Sequence, residues 1–571
     1  MVAARAAEET PSGPIVELPK FVVTDSRELP KPEMWRYATM PGFEILTNAS
    51  DKATQRLIRD FDMFRQALGH VWPLPQRSGP PTLLILCGKG GKFDAFAPKE
   101  QQYETALASR FLKKSDRTAI VIDFQATTLN VLNIDGADDA ATGTDSGVIS
   151  VEHDKQLYRE YVHYLLSRSE PRLPAWLEEG LSQIIMRMKF DRRWIEFARL
   201  EDPNTVSAQA AFVAEINAAA AAEGDASLLP GAPAEDRDFN VSLRRRALVP
   251  LEKFFAVGHE SPEAMNPLGN NRWAKQAYAF VHMCLYGYNG KYQKAFSTFI
   301  QRAAREPVTE PMFKECFNMT YSKMLLEIRS YCEFTVYEHK EYRAKQDVII
   351  PPPPLALRDA TQSEVGRIKG EALTMAGNNA AARAELIAPY IRGERDPALL
   401  ASLGLYERAA GEDERARKFL EAAVAGKAVR AEAYYELARY RFADAQAKPG
   451  GANGGFSAAQ SSGIIELLLT ARKQPPAPPA VYDLMAETWA RSPTSPKRDD
   501  IIALIEGVRL YPGRLKLAYQ VAALSADGGM PDVAHSLVDH GIKYAPDITS
   551  RARFEELKKK LPPAPVTPPA K

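Results

Sequence analysis

Two neighbouring stretches of the chain repeat apolar residues at helical spacing, and a short polar segment separates them. In the first stretch, Leu157, Tyr161 and Leu165 fall on one helical face, and residues 175–186 resume the pattern. The segment 169–174 between them contains two prolines, which interrupt helices. The pattern therefore predicts two helices joined by a Pro-containing turn within residues 158–183.

Alternating apolar and polar positions come before this helix pair. Residues 43–47 alternate as a strand does, and the apolar runs 82–86 and 119–124 predict two more strands. Between the first two, residues 51–68 carry an apolar helical face. These patterns predict an α+β domain over residues 41–335, made of a small mixed sheet plus helices.

Strand patterns disappear after about residue 360, and Ala and Leu then recur in pairs of short helices. Leu437 follows Leu403 by 34 residues, which is the tetratricopeptide period. This region resembles tetratricopeptide repeats, although only residues 403–424 carry most of the signature. A helical bundle without repeats is the alternative, and both imply an all-α region over residues 361–560.

The remaining boundaries follow from composition. Pro351–Pro354 and the polar residues before them favour a stiff linker. The expected connecting segments are an extended N-terminal arm (1–40), an insertion (203–236), a Pro-rich linker (336–360), a flexible insertion (445–460) and a disordered tail (561–571).

Charge and cysteine content narrow the function classes. The 571 residues include 73 Lys+Arg and 72 Asp+Glu, so no overall field favours nucleic acid or an anionic membrane. The four cysteines form no CxxC metal pattern and are too few for a disulfide scaffold. No apolar run approaches the roughly 18 residues of a membrane span. We therefore expect no nucleic-acid partner and no transmembrane segment.

Candidate chemistry lies in the two helices described first. The first contains Arg159-Glu160-Tyr161-Val162-His163, and the second contains Trp176-Leu177-Glu178-Glu179-Gly180. This pair resembles the gluzincin zinc peptidases, and within them the bacterial peptidase MA-like domains, which carry HExxH followed by a Trp-x-x-Glu-Gly-type segment. The resemblance implies that Glu160 matches the general base, His163 the second His ligand and Glu179 the third ligand.

The departure from that motif is Arg159, which stands at the position of the first His ligand. A guanidinium is permanently charged and offers no lone pair to a metal. We expect Arg159 to form a salt bridge with Glu179 or Glu160 in the space of the metal. The block 273–282 resembles a later helix of the same family, and the resemblance places Trp273, Tyr278 and Trp176 along the cleft.

Three functional hypotheses follow. The first is an inactive, pseudoenzyme form of a zinc metallopeptidase whose helical repeats bind protein or peptide partners; it needs no cofactor. The second is an active zinc peptidase with an atypical ligand set that includes His163 and Glu179, in which Glu160 polarises the attacking water. The third is an assembly scaffold in which the N-terminal domain is a structural block. The sequence does not specify the oligomeric state.

The location of the protein stays open at this point. The first residues have no apolar segment, which predicts no intact signal peptide, but Ala4-Arg5-Ala6 resembles the end of one. Peptidase MA-like proteins are often exported. An exported, periplasmic or cell-envelope location with a missing signal peptide and a cytoplasmic location are therefore the two alternatives.

Overall fold

The computed structural model describes most of the chain, with several gaps. The described residues are 18–19, 29–72, 81–97, 108–114, 116–126, 128–131, 147–168, 172–197, 200, 205–207, 248–264, 272–334, 339–451, 454–474 and 477–562. Among them, none of the helices combines the length and apolar character that a membrane span requires.

The strands of the described residues are short. They are β1 (Arg36–Met40), β2 (Phe43–Thr47), β3 (Thr82–Cys87), β4 (Ser109–Lys113), β5 (Thr118–Asp123), β6 (Thr128–Val131), β7 (Gly147–Ser150), β8 (Lys189–Asp191), β9 (Trp194–Phe197), β10 (Thr205–Ser207), β11 (Lys340–Arg343) and β12 (Arg358–Asp359). The main sheet has the order β12-β1-β2-β3-β5-β4, and two three-stranded sheets have the orders β10-β7-β6 and β11-β9-β8. The β2–β3 and β3–β5 pairs are parallel and the others antiparallel, so the main sheet is mixed.

The N-terminal region also contains eight α-helices within the described residues. They are α1 (Asp51–Val71), α2 (His153–Leu166), α3 (Ala175–Met186), α4 (Leu251–Ala256), α5 (Arg272–Tyr286), α6 (Gln293–Ala303), α7 (Glu310–Phe317) and α8 (Tyr321–Phe334). The α2–α3 pair begins and ends close to the predicted positions, and both helices are mostly buried.

The helices of the C-terminal region follow one another with short connections. They are α9 (Gln362–Met375), α10 (Asn379–Ile391), α11 (Pro397–Ala409), α12 (Asp413–Ala425), α13 (Ala431–Ala447), α14 (Ala458–Arg472), α15 (Pro479–Arg491), α16 (Arg498–Leu510), α17 (Leu515–Asp527), α18 (Pro531–Tyr544) and α19 (Ile548–Lys560). Consecutive helices pack as hairpins, most extensively α9–α10, α11–α12, α13–α14 and α17–α18. The prediction of an all-α region built from paired helices is confirmed at this level, and the tetratricopeptide assignment stays a prediction.

The main sheet is covered on both faces. Strand β3 is fully buried and apolar after Thr82, as expected for a strand with parallel neighbours on either side. Leu84 and Leu86 point to the core formed with α1, α2 and α3. Leu83 and Ile85 point to the opposite core, which contains residues of α9. The first helix of the C-terminal region is therefore part of the packing of the N-terminal sheet.

Several predicted connecting segments contain regular structure. Residues 36–40, expected in an extended arm, form β1, and Gly42 makes the tight turn to β2 with φ +85°. The segment 336–360, expected to be a linker, contributes β11 and β12, which pair with β9 and β1. Both are short, polar edge strands, so their sequences lack the apolar alternation that identifies a strand.

The other segments are covered only in part. Of the predicted insertion 203–236, only 205–207 lie within the described residues, where they form β10. The predicted flexible insertion 445–460 is shorter than expected, because α13 continues to Ala447 and a capping box at Ser457 starts α14. In the tail 561–571, residues 563–571 lie outside the described residues.

Candidate functional site

The predicted motif lies where α2 and α3 pack against each other. The opposite side of α2 is fixed on α1 by aromatic contacts, including a parallel stack of Tyr158 on Phe64 with ring centroids 3.9 Å apart. This packing turns Arg159, Glu160 and His163 away from α1, toward α3 and a cavity of about 290 Å³. The cavity is bounded on its other side by strand β4.

Arg159 pairs with a carboxylate of α3. Its Nη2 donates to Glu179 Oε2 at 2.6 Å, and its Nη1 lies 3.4 Å from Glu160 Oε1. The side chains of Arg159 and Glu179 are each only 2% exposed. The guanidinium therefore bridges the two motif carboxylates in the interior, and we call Arg159, Glu160 and Glu179 the cleft centre.

His163 faces the same carboxylate oxygen as the arginine. Its Nε2 lies 3.6 Å from Glu179 Oε2, and Gln183 Nε2 donates to the other oxygen, Oε1, at 2.8 Å. Burial alone would raise the pKa of Glu179, but Arg159, His163 and Gln183 together hold that pKa at about 2. Glu179 is therefore ionised throughout the physiological range.

Glu160 is held from the sheet side. Ser109, the first residue of β4, donates its hydroxyl to Glu160 Oε1 at 2.8 Å. The same Oε1 is the oxygen near Arg159, so the carboxylate is oriented by a strand and by its own helix. The position expected of a general base is thus occupied by a carboxylate engaged in an ion pair and a hydrogen bond.

A second ion pair, between Arg172 and Glu178, also lines the cavity. Glu178 lies 3.2 Å from Arg172 Nε and 3.4 Å from His259 Nδ1. Burial lowers the pKa of His259, and the nearby Glu178 carboxylate opposes this only in part. A 2.9 Å hydrogen bond joins His259 Nε2 to the Leu173 carbonyl oxygen and fixes the imidazole ring.

The three aromatic residues predicted along the cleft lie in different places. Trp273 lines the cavity, and its indole Nε1 donates to the Phe254 carbonyl at 3.0 Å. Trp176 and Tyr278 are not among the lining residues and are 1% exposed. Trp176 packs among the phenylalanines of α4, α5 and α6. The helical spacing of Trp176, Trp273 and Tyr278 predicts their burial correctly but does not indicate which side of the helix faces the cavity.

The motif residues do not form a metal-ligand group. Among the described residues, the one group of at least three suitable donors within reach of a single ion is Glu196, His339 and Glu341, at the β9–β11 pair. At the cleft centre Arg159 bonds to the carboxylate that a zinc ion would need, and a guanidinium has no donor lone pair. These residues therefore do not fit zinc.

Sequence reasoning missed several residues of the cavity and one hydrogen-bond partner of Glu179, Gln183. Gln183 carries a weak signal, since it lies four residues after Glu179 on the same helical face. Ser109 and Arg172 carry no motif, and His259 comes from a distant segment. They reach the cavity through tertiary packing alone.

Comparisons with solved structures find proteins that each match about a third of the chain. A Pseudomonas aeruginosa PilF structure is 14% identical, covers 35% of this chain and 91% of its own, and has a TM-score of 0.23. A thermophilic TPR protein from Thermus thermophilus is 17% identical, with 34% and 99% coverage and a TM-score of 0.22. A MamA RS-1 double mutant is 14% identical, with 35% and 98% coverage and a TM-score of 0.23.

Likenesses with such TM-scores carry no argument, and the pairing of the helices α9–α19 is established by their own packing. No protein-family model and no curated protein matches the chain.

Proposed function

We propose that this protein binds protein or peptide partners without hydrolysing them. In this proposal the N-terminal region is a peptidase-like domain whose metal is replaced by a salt bridge, and the helical region supplies a partner-binding surface. The observation that supports it is the buried bond of 2.6 Å between Arg159 and Glu179.

The electrostatics of the cleft centre argue against zinc beside Arg159. Glu179 is ionised because its pKa is about 2, and Arg159 already neutralises it. A zinc ion at the same carboxylate would lie within a few ångströms of a fixed positive charge, in a site where charges are weakly screened. It would also lose one of the three protein ligands that catalytic zinc sites use.

The cleft nevertheless offers a place for an extended peptide. Strand β4 ends the main sheet within the described part of the chain and is bonded on one side to β5. All five of its residues line the cavity. A peptide strand added along that edge would make backbone hydrogen bonds, as in other cases of β-strand addition.

The helical hairpins supply the second part of the proposed function. Stacked helix pairs form extended surfaces that suit segments of partner proteins. Because α9 packs directly on the main sheet, a partner on the helices would be held in a fixed relation to the cleft.

A zinc-binding measurement on purified full-length protein tests this proposal. After equilibration with zinc and dialysis, we expect no stoichiometric metal on the unaltered protein. Arg159→His supplies the missing donor beside His163 and Glu179, and we expect it to bind about one zinc ion per chain. The matched control is Lys113→His, which adds a histidine to the same cavity on β4, where Lys113 reaches the Ser167 carbonyl, and it should bind none.

Two outcomes would overturn the proposed absence of zinc-dependent hydrolysis, and a third would overturn the peptidase-like assignment. One is stoichiometric zinc on the unaltered protein. The other is cleavage of casein that a chelator stops and that Glu160→Gln abolishes, which would establish the alternative of an active peptidase. If Arg159→His binds no zinc, the peptidase-like interpretation of the pocket is wrong.

A further inference from the structure

A second cavity, of about 380 Å³, lies where the helical region meets the main sheet. Its walls are the turn between β4 and β5 and the helices α9, α10, α11 and α13. The two cavities are adjacent, because Met375 lines both of them. Strand β4 also leads from one to the other, since Lys113 lines the first cavity and Lys114 the second.

The buried arginines in this second cavity already have carboxylate partners. Arg430 lies 2.7 Å from Asp116 and 2.6 Å from Glu371. Arg117 Nε lies 3.2 Å from the other oxygen of Glu371. These groups join the β4–β5 turn to α9 and to the residue before α13, and their charges compensate one another.

The arginines farther along the cavity share one carboxylate. Arg408 Nε and Arg439 Nη1 lie 3.2 Å and 2.8 Å from the oxygens of Glu436. Lys114 is exposed at the rim, where solvent screens its charge. An incoming anion would therefore have to compete with existing partners for every arginine of the wall.

Glu432 is the lining carboxylate that lacks such a partner. It is half-buried in the first turn of α13, and within the described part of the chain no hydrogen bond or salt bridge engages it. Burial, followed by the charges of Asp116 and Glu436, raises the pKa of Glu432 to about 7, and Arg430 and Arg439 oppose this only in part. Near neutral pH this carboxyl would be stabilised by an added cation.

The geometry disfavours a bare metal ion as that cation. Asp116, Glu432 and Glu436 are not a group whose oxygens converge on one point, since the described residues contain a single such group and it lies elsewhere. The space is also far larger than one ion needs. A cation carried at the end of a flexible chain can reach Glu432 without requiring the three carboxylates to converge.

We propose that this cavity binds the ammonium group of a lysine side chain on an extended segment of a partner protein, with Glu432 as the receiving carboxylate. The proposal rests on the proposed function, because it assumes that a peptide strand lies along β4. Such a strand leaves the first cavity at Lys113 and meets the second at Lys114, so its side chains come within reach of α13. A compact ammonium suits a single carboxylate better than the planar fork of arginine does.

Binding of a lysine by this carboxylate has a pH signature. The ammonium stabilises the ionised form, so binding near pH 7 releases a proton from Glu432, and the affinity should rise about tenfold between pH 6 and pH 8. Other charged groups face Glu432 or line its cavity: Lys114, Asp116 and Arg117 near the β4–β5 turn, Glu371 on α9, Arg408 on α11, and Arg430, Glu436 and Arg439 at α13. The pKa of Glu432 lies between these two pH values, so Glu432 dominates the dependence.

Calorimetric titration of the full-length protein with a capped Gly-Gly-Lys-Gly-Gly peptide tests the proposal. The comparison peptide replaces lysine with norleucine, which keeps the chain and removes the charge. We expect the lysine peptide to bind at least about tenfold more tightly than the norleucine peptide, and Glu432→Gln to remove that difference. Glu414→Gln is the matched control, since Glu414 is the second residue of α12, as Glu432 is of α13, but is exposed.

The contrary results are equally specific. Equal binding of the two peptides, unchanged binding by Glu432→Gln, or no binding up to about 10 mM peptide would each overturn the proposal. Equal affinity for free n-butylamine would show a small-amine site and overturn the assignment to a protein segment. Circular dichroism verifies folding of Glu432→Gln, and Glu432→Ala repeats the test. None of these results depends on zinc at the cleft centre, so the two proposals fail separately.

Discussion

The cleft centre and the contact between the main sheet and the helical region both bury arginine–carboxylate pairs. They differ in the balance between positive and negative side chains. At the cleft centre one guanidinium serves two carboxylates, Glu160 and Glu179, beside a cavity. At the other contact three arginines meet three carboxylates. We call this second set the interface network: Glu44, Asp116, Arg117, Arg367, Glu371 and Arg430.

The difference indicates different roles for the two sets. The interface network connects β2, the β4–β5 turn, α9 and the start of α13, so every charge in it is held by two structural layers. Arg367, for example, lies 2.6 Å from Glu44 on β2. The ion pairs of the cleft centre join only α2 and α3, and the cleft centre faces a cavity. Removal of a charge should therefore reduce the stability of the protein more at the interface network than at the cleft centre. At the cleft centre it should mainly change the chemistry of the cavity.

Arg430→Met should give the largest loss of stability. It leaves Asp116 and Glu371 without their shared cation, and breaking a buried ion pair from one side costs about 3–5 kcal/mol. The midpoint of urea unfolding, followed by circular dichroism, measures the loss. The control is Arg417→Met, which breaks an exposed pair with Asp444 and should cost less than about 1 kcal/mol. Equal shifts in the two variants would contradict the structural role of the interface network.

The sequence allows the cleft centre to be anticipated better than the interface network. Arg159, Glu160 and Glu179 lie within two helices whose spacing and intervening prolines are visible locally. Arg430 and Asp116 are separated by 314 positions, and no periodicity or motif connects residues so far apart. Only the packing of α9 on the sheet brings them together, and that packing depends on the complete fold.

The sequence likewise predicts whether a residue is buried more reliably than it predicts which elements surround that residue. The apolar runs predict β2, β3 and β5 within about two residues, because a buried strand needs apolar side chains on both faces. The polar strands β11 and β12 leave no such signal. The family resemblance predicts Trp176 and Tyr278 along the cleft, but both lie in the core, since periodicity identifies a buried face without identifying its neighbour.

Arg159→Met should have a smaller effect that depends on pH. Glu179 has an ordinary pKa of 4.5 and a folded pKa of about 2, so it contributes up to about 3 kcal/mol of stability, which is present above pH 4.5 and lost as the pH falls toward 2. Without Arg159, burial is no longer opposed by the guanidinium and the pKa of Glu179 rises. The variant should therefore be least stable relative to the unaltered protein at pH 7, and the difference should shrink toward pH 3.

Thermal unfolding at several pH values between 3 and 7 measures this difference. Arg172→Met is the control at the same cavity, because Arg172 is 42% exposed and its pair with Glu178 is partly screened. We expect a small effect of Arg172→Met with little dependence on pH. A loss in Arg159→Met that is constant over this range would show that Arg159 acts by packing alone, and the cleft centre would then resemble an ordinary core contact.

The smallest of these effects, about 1–2 kcal/mol, is expected for Gly180→Ala, which tests whether backbone packing also positions the cleft centre. A Cβ at Gly180 would lie 2.7 Å from the Ala277 carbonyl oxygen and 2.5 Å from Val281 Cγ2, so α3 and α5 would have to separate. Because Glu179 precedes Gly180, the separation would also move its carboxylate away from Arg159. Gly463→Ala is the control, since the nearest atom there is 3.5 Å away and alanine favours the interior of α14 by up to about 1 kcal/mol. If thermal unfolding finds both variants stabilised, close approach of the two helices does not position the cleft centre, and its charges alone must do so.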